Sequence, residues 1–187
     1  MSKTNEEDPP QNDRIFTLPE PKPKKSKKVA LEKEKKKRVI TQNDGWTDFV
    51  QKFQDHSFAS IMQCLKENDS EFKILLSHIK SKIRGYYGQD KDKNLVDSDK
   101  FVTLENVLEL METSQGLCHY CKSGVLFVYE YVRDAKQWTL ERKDNSKGHN
   151  HDNVVLACLN CNIKRKCMKM ERYEMTKLLA HIEKINS

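Results

Sequence analysis

The sequence predicts an α+β chain in which a helical stretch leads into a small strand-and-helix module braced by metal-binding cysteines. Three observations carry this expectation. Apolar residues recur at helical spacing from Trp46 to Ile83 and again from Leu104 to Met111. Short β-branched and aromatic runs follow within residues 125–157. Two Cys-x-x-Cys pairs, Cys118/Cys121 and Cys158/Cys161, bracket those runs. The expected organisation is a disordered basic tail over residues 1–40, a helical region over 41–112, and a zinc-bound module with a C-terminal helix over 113–187.

The tail is read from composition. All five prolines, Pro9, Pro10, Pro19, Pro21 and Pro23, fall in it and interrupt regular structure. Two basic runs follow, Lys22 to Lys28 and Lys33 to Arg38, suited to non-specific phosphate binding or to a nuclear address. The chain as a whole is 36% hydrophobic and 33% charged, with a net charge of +6, which favours an anionic partner. No apolar run approaches a membrane helix, so no membrane partner is expected. The first residues lack the apolar core of a secretory signal. An intracellular, reducing setting is therefore expected, nuclear or cytoplasmic, where cysteines serve more often as metal ligands than as disulfides.

In the helical region, Trp46, Phe49, Val50 and Phe53 share one helix face. Phe58, Ile61, Met62 and Leu65 continue the pattern, and Cys64 reads as a small buried hydrophobe. Phe72, Leu75, Leu76, Ile79 and Ile83 form a third stripe, with Gly85 placed to end that helix. Residues 86–100 read as a loop. Thr103 is placed to cap a helix bearing Leu104, Val107, Leu108 and Met111. Beyond the first cysteine pair, Val125 to Val132, Gln137 to Arg142 and Val154 to Ala157 read as three strands. A helix opens at the second pair and runs to Met168. Met175, Leu178, Leu179 and Ile182 mark a last amphipathic helix.

Two Cys-x-x-Cys pairs supply four thiolates at tetrahedral geometry, a closed site whose zinc is structural. Cys167 lies outside the pairs. Within the bracket, polar residues collect where the strand pattern ends (Glu141, Arg142, Asp144, Asn145) and in the next loop (His149, Asn150, His151, Asp152, Asn153). Asn162 begins the following helix. Glu141 and Asn162 carry the oxygen donors that a hard cation such as Mg²⁺ takes while keeping several waters. Lys164, Arg165 and Lys166 leave the same helix and are placed to take backbone phosphates.

These residues, in this order, resemble the HNH endonucleases of the zinc-bearing ββα-metal (His-Me finger) type, in the form met in large DNA viruses and phages. The resemblance rests on Cys118, Cys121, Trp138, Leu140, Arg142, Asp144, Asn145, Gly148, His149, Asn153, Val154, Val155, Ala157, Cys158, Cys161 and Asn162. It covers Leu117 to about Lys166 and leaves the tail and the helices from Trp46 to Arg84 outside. It implies two antiparallel strands, a loop and a helix, a DNA partner, and hydrolysis of phosphodiester bonds with a catalytic divalent ion on Glu141 and Asn162. It also implies that Asn153 braces the strand end. Two positions depart from the pattern. Glu141 stands where aspartate is usual, and Arg142 where many members carry the base histidine. Arginine stays protonated and cannot accept a proton, so either the base comes from His149, His151 or Asp144 or it is dispensable, and Arg142 falls to a phosphate. Two other classes stay open: a catalytically inactive nucleic-acid-binding protein on the same fold, and a zinc-stabilised protein-interaction module docking through the helices from Trp46 to Arg84.

Overall fold

The computed structural model describes residues 35–42 and 45–185. The expected disorder of residues 1–34 lies outside them. The described chain is mixed α and β: α1 (Gly45–Asp55), α2 (Phe58–Lys66), α3 (Lys73–Asp92), α4 (Leu104–Thr113), β1 (Trp138–Arg142), β2 (Val154–Cys158), α5 (Leu159–Arg165) and α6 (Met170–Ile185). Among these residues no helix is long and apolar enough to cross a membrane.

Local chemistry starts the helices where the sequence places them. The Ser60 N–H donates to the Ser57 hydroxyl at the head of α2. Thr103 and Asn106 form a reciprocal capping box at the head of α4. The apolar stripes meet in one cluster that runs from Trp46 on α1 through Phe72, Ile79, Val107 and Met111 to Trp138, Leu156 and Tyr173. The Phe58 and Phe127 rings stack at 6.0 Å across residue 112. The helical region and the cysteine module thus share one core, and the boundary expected at 112/113 does not separate them.

β1 and β2 pair antiparallel, Trp138 opposite Cys158 and Arg142 opposite Val154. Four expectations need correction. First, α3 does not end at Gly85. A Cβ at Gly85 or Gly88 would meet nothing within 4 Å, and the helix continues to Asp92. Its end falls to Asn94, which takes the left-handed conformation at φ 55°. Second, Val125 to Val132 forms no strand. Val125, Phe127 and Tyr129 alternate inward, but backbone partners are scattered: the Leu126 N–H donates to Lys136 O and the Val125 N–H to Gly116 O. The segment meets β1 at one point, where the Trp138 N–H donates to Leu126 O at 3.1 Å, and the next groups on that edge are already occupied. Lys82 donates to Trp138 O, and the Leu140 N–H donates to Tyr86 Oη at 3.0 Å, both side chains reaching from α3. Third, the tail ends before residue 40. Arg38 N–H donates to Glu130 O at 2.9 Å and Val132 N–H to Lys36 O at 2.8 Å. Fourth, the stripe on α6 is not buried. Met175, Leu178 and Leu179 are each more than half exposed, and the helix docks instead through buried Tyr173; the Ile182 side chain lies outside the described ones.

Candidate metal centre and polar site

The four cysteines come from three places: a turn after α4 (Cys118, Cys121), the last residue of β2 (Cys158) and the first turn of α5 (Cys161). Their sulfurs all lie within 4.8 Å of one another. Cys121 and Cys158 Sγ are 3.9 Å apart. That is far beyond a disulfide bond of about 2.05 Å, and close to the spacing of about 3.8 Å that a tetrahedron of zinc–sulfur bonds requires. The Cys161 N–H donates to Cys158 Sγ at 3.4 Å, so the helix start supports the sulfur. Crowding separates the thiols. Hydrogen bonding with Cys158 draws the Cys118 thiol down, while hydrogen bonding with Cys118 and burial push the Cys158 thiol up. Such a group ionises together only around a cation. The four sulfurs can hold a metal ion such as zinc.

The hairpin presents Thr139 and Glu141 on one face, two residues apart, and α5 lies across that face. Asn162 Nδ2 donates to Thr139 Oγ1 at 3.2 Å. One helical turn on, Arg165 ion-pairs with Glu141 and donates to Arg142 O at 2.9 Å and Lys143 O at 2.7 Å. Both partners of the pair are buried. Burial pushes the Glu141 carboxyl above the usual carboxylate range, and Arg165 partly restores it. Arg165 is therefore not a phosphate contact. Its periodicity turns it inward to the strand end, while Lys164 and Lys166 stay exposed. Glu141 is engaged, but only through Oε1. Its Oε2 and Asn162 Oδ1 carry no hydrogen bond to a described residue.

The loop between the strands is stitched by Asn153. Its Nδ2 donates to Asp144 O and Gly148 O at 3.0 and 2.9 Å, and its Oδ1 accepts from the Asp144 N–H at 3.0 Å. Arg142 Nη1 donates to Asn145 O and Lys147 O, so part of its fork belongs to the loop. Asp144 is exposed and caps its own turn, its carboxyl held below the usual range by the Ser146 N–H.

His149 is buried against α3. Its Nδ1 lies 2.8 Å from Asp90 Oδ1, its N–H donates to Asp90 Oδ2 at 2.5 Å, and its ring lies 4.5 Å from that of Tyr86. Gly148 makes the approach possible: a methyl group there would run into the Leu95 carbonyl and come within 2.9 Å of Asp90 Oδ2. Burial pushes His149 below the usual histidine value, partly opposed by Asp90. His151 is on the surface.

The structure thus joins Glu141 to Arg165, Asn162 to Thr139, and Asn153 to the loop. It leaves Asp144 and His151 outside. Sequence reading missed Thr139, Tyr86, Lys82 and Asp90. The last three lie at i, i+4 and i+8 on one face of α3, a polar stripe visible only once the helix is carried past Gly85. Comparison of the chain with protein-family models, with curated proteins and with solved structures gives no match.

Proposed function

We propose that the chain is an HNH-type endonuclease that hydrolyses phosphodiester bonds in DNA with the help of a divalent cation, on a fold held by a structural zinc. What supports the reading is the clamp: four sulfurs fasten the end of β2 and the start of α5 so that Asn162 and Glu141 belong to one hairpin–helix face. Each keeps an uncommitted oxygen, a donor set that suits Mg²⁺. When bound there, such an ion supplies positive charge to the scissile phosphate and the leaving oxygen.

The chain's own residues take the remaining roles. His149 is the general base: Asp90 accepts from its Nδ1, which leaves Nε2 to take a proton from water, and burial keeps the ring neutral near pH 7. Arg165 neutralises Glu141 and holds the strand end. Asn153 fixes the loop that carries His149. Arg142, Lys164 and Lys166 offer positive charge to backbone phosphates.

Zinc-replete protein is expected to nick supercoiled or branched DNA in at least one of Mg²⁺, Mn²⁺ and Ni²⁺, with the cut lost in Asn162→Ala and in His149→Gln. Intact DNA in all three metals overturns the reading. One observation favours a second reading, a nucleic-acid-binding protein without catalysis: the carboxylate that should face the ion is ion-paired to Arg165. That reading expects binding without nicking, indifferent to Asn162→Ala.

A further inference from the structure

A cleft of about 790 Å³ lies along α3. Arg38, His78, Lys82 and Arg84 line it, together with Thr139 and Asn162. Among the described residues no aspartate or glutamate lines it, and none of Arg38, Lys82 and Arg84 makes an ion pair. Lys82 is held by the Trp138 carbonyl and lies over the Trp138 ring at 4.2 Å and the Tyr129 ring at 5.2 Å. Arg38 lies over the Tyr129 ring at 4.1 Å and donates to the Tyr129 carbonyl at 3.2 Å. The cations are positioned by aromatic faces and carbonyls, which orient charge without cancelling it.

Gathering positive charge in a half-buried cleft with no counter-charge is unfavourable for the free protein. Burial and the Arg38 charge bring Lys82 down to about 7, and burial with Arg38 and Lys82 brings His78 to about 4. His78 Nε2 is buried with no partner. An anion in the cleft relieves all of this at once. The cleft is several times the size of one phosphate, and its cations come from two segments of the chain, so an extended polyanion fits better than a single ion.

We propose that this cleft binds the phosphodiester backbone of a nucleic-acid strand and leads it to Thr139 and Asn162. The inference rests on the nucleic-acid part of the functional reading. It adds that α3 and the segment around Arg38, both outside the cysteine-bracketed module, supply a grip that Arg165 cannot.

The test is fluorescence anisotropy of labelled single-stranded and duplex DNA oligonucleotides against the full, zinc-loaded chain without added Mg²⁺, for wild type, Arg38→Ala and Lys82→Met. Each substitution is expected to weaken binding about five- to tenfold at moderate salt and to lower the salt slope by about 0.9 per cation removed on duplex and about 0.7 on single strands. Melting curves guard against misfolding: in Lys82→Met the recovered burial cost of the charge offsets the lost bond to the Trp138 carbonyl, so its melt is expected to stay cooperative and within a few degrees of wild type. Unchanged affinity and slope in both variants overturn the proposal. So does displacement of DNA by polyglutamate at equal charge, which would assign the cleft to an acidic peptide, or by pyrophosphate at micromolar concentration, which would assign it to a small anion. If wild type cuts no DNA yet binding needs Arg38 and Lys82, catalysis falls and the cleft stands. If wild type cuts and neither variant binds more weakly, the cleft falls alone.

Discussion

β1 is flanked by two helices, and the two flanks treat charge in opposite ways. On the α5 side, Arg165 and Glu141 are both buried and neutralise each other, and Arg165 spends its remaining donors on carbonyls. On the α3 side, Lys82 and Arg38 line a cleft that holds no acid among the described residues. The first arrangement closes on itself and holds structure. The second stays electrostatically incomplete until something negative arrives. Residue type alone says nothing of this difference; it lies in whether a partner has been folded in.

The comparison breaks most completely if the clamp is opened. Cys158→Ser, or a strong chelator, is expected to remove metal-coupled folding energy on the order of 10 kcal/mol and to abolish the cooperative melt seen by circular dichroism. Metal analysis finding no tightly held ion in the wild-type chain would contradict this.

Next in size is the closed pair. Arg165→Met or Glu141→Gln alone leaves one buried polar or charged group without its partner, and each is expected to cost about 3–5 kcal/mol in urea unfolding. The double variant should recover most of that loss. If the two single losses simply add, the pair is not coupled and the contrast between the flanks fails.

A smaller effect sharpens the open side. His78, at about 4, and His149 both titrate below the unfolded value of about 6.5. Between those values the unfolded chain binds protons that the folded one does not. Stability is therefore full above about pH 6.5 and is lost as pH falls toward about 4. His78→Gln should flatten that slope relative to wild type; an unchanged slope would remove His78 from the cleft's electrostatics. The smallest effect is Gly85→Ala. Mid-helix and with nothing near its missing side chain, it is expected to stabilise α3 by about 0.5–1 kcal/mol. A loss of stability would mean the helix does not run through residue 85.

The legible parts of the sequence were those fixed by local pattern. The cysteine pairs, the alternation in β1 and β2 and the Thr103 cap depend on neighbours within a few residues. Gly85 misled because glycine often ends a helix, whereas here Lys82, Tyr86 and Asp90 anchor the helix to β1 and to the loop after it. Val125 to Val132 has strand composition, but it reaches β1 only at the Trp138 N–H, and the next groups on that edge are taken by side chains far back in the chain. Arg165 sat in a basic run, and only the helical turn between it and Asn162 directs it inward. The Asp90–His149 pair joins residues in separate elements and could be found only once the chain was folded.

The way α3 covers β1 has a consequence beyond the site. A two-stranded sheet leaves hydrogen-bonding groups along both margins, an open invitation for another chain to add a strand. Lys82 and Tyr86 answer Trp138 O and the Leu140 N–H on the β1 margin with side chains, and Leu126 O takes the Trp138 N–H. The same helix that shapes the cleft thereby leaves fewer free groups on the β1 margin for an added strand.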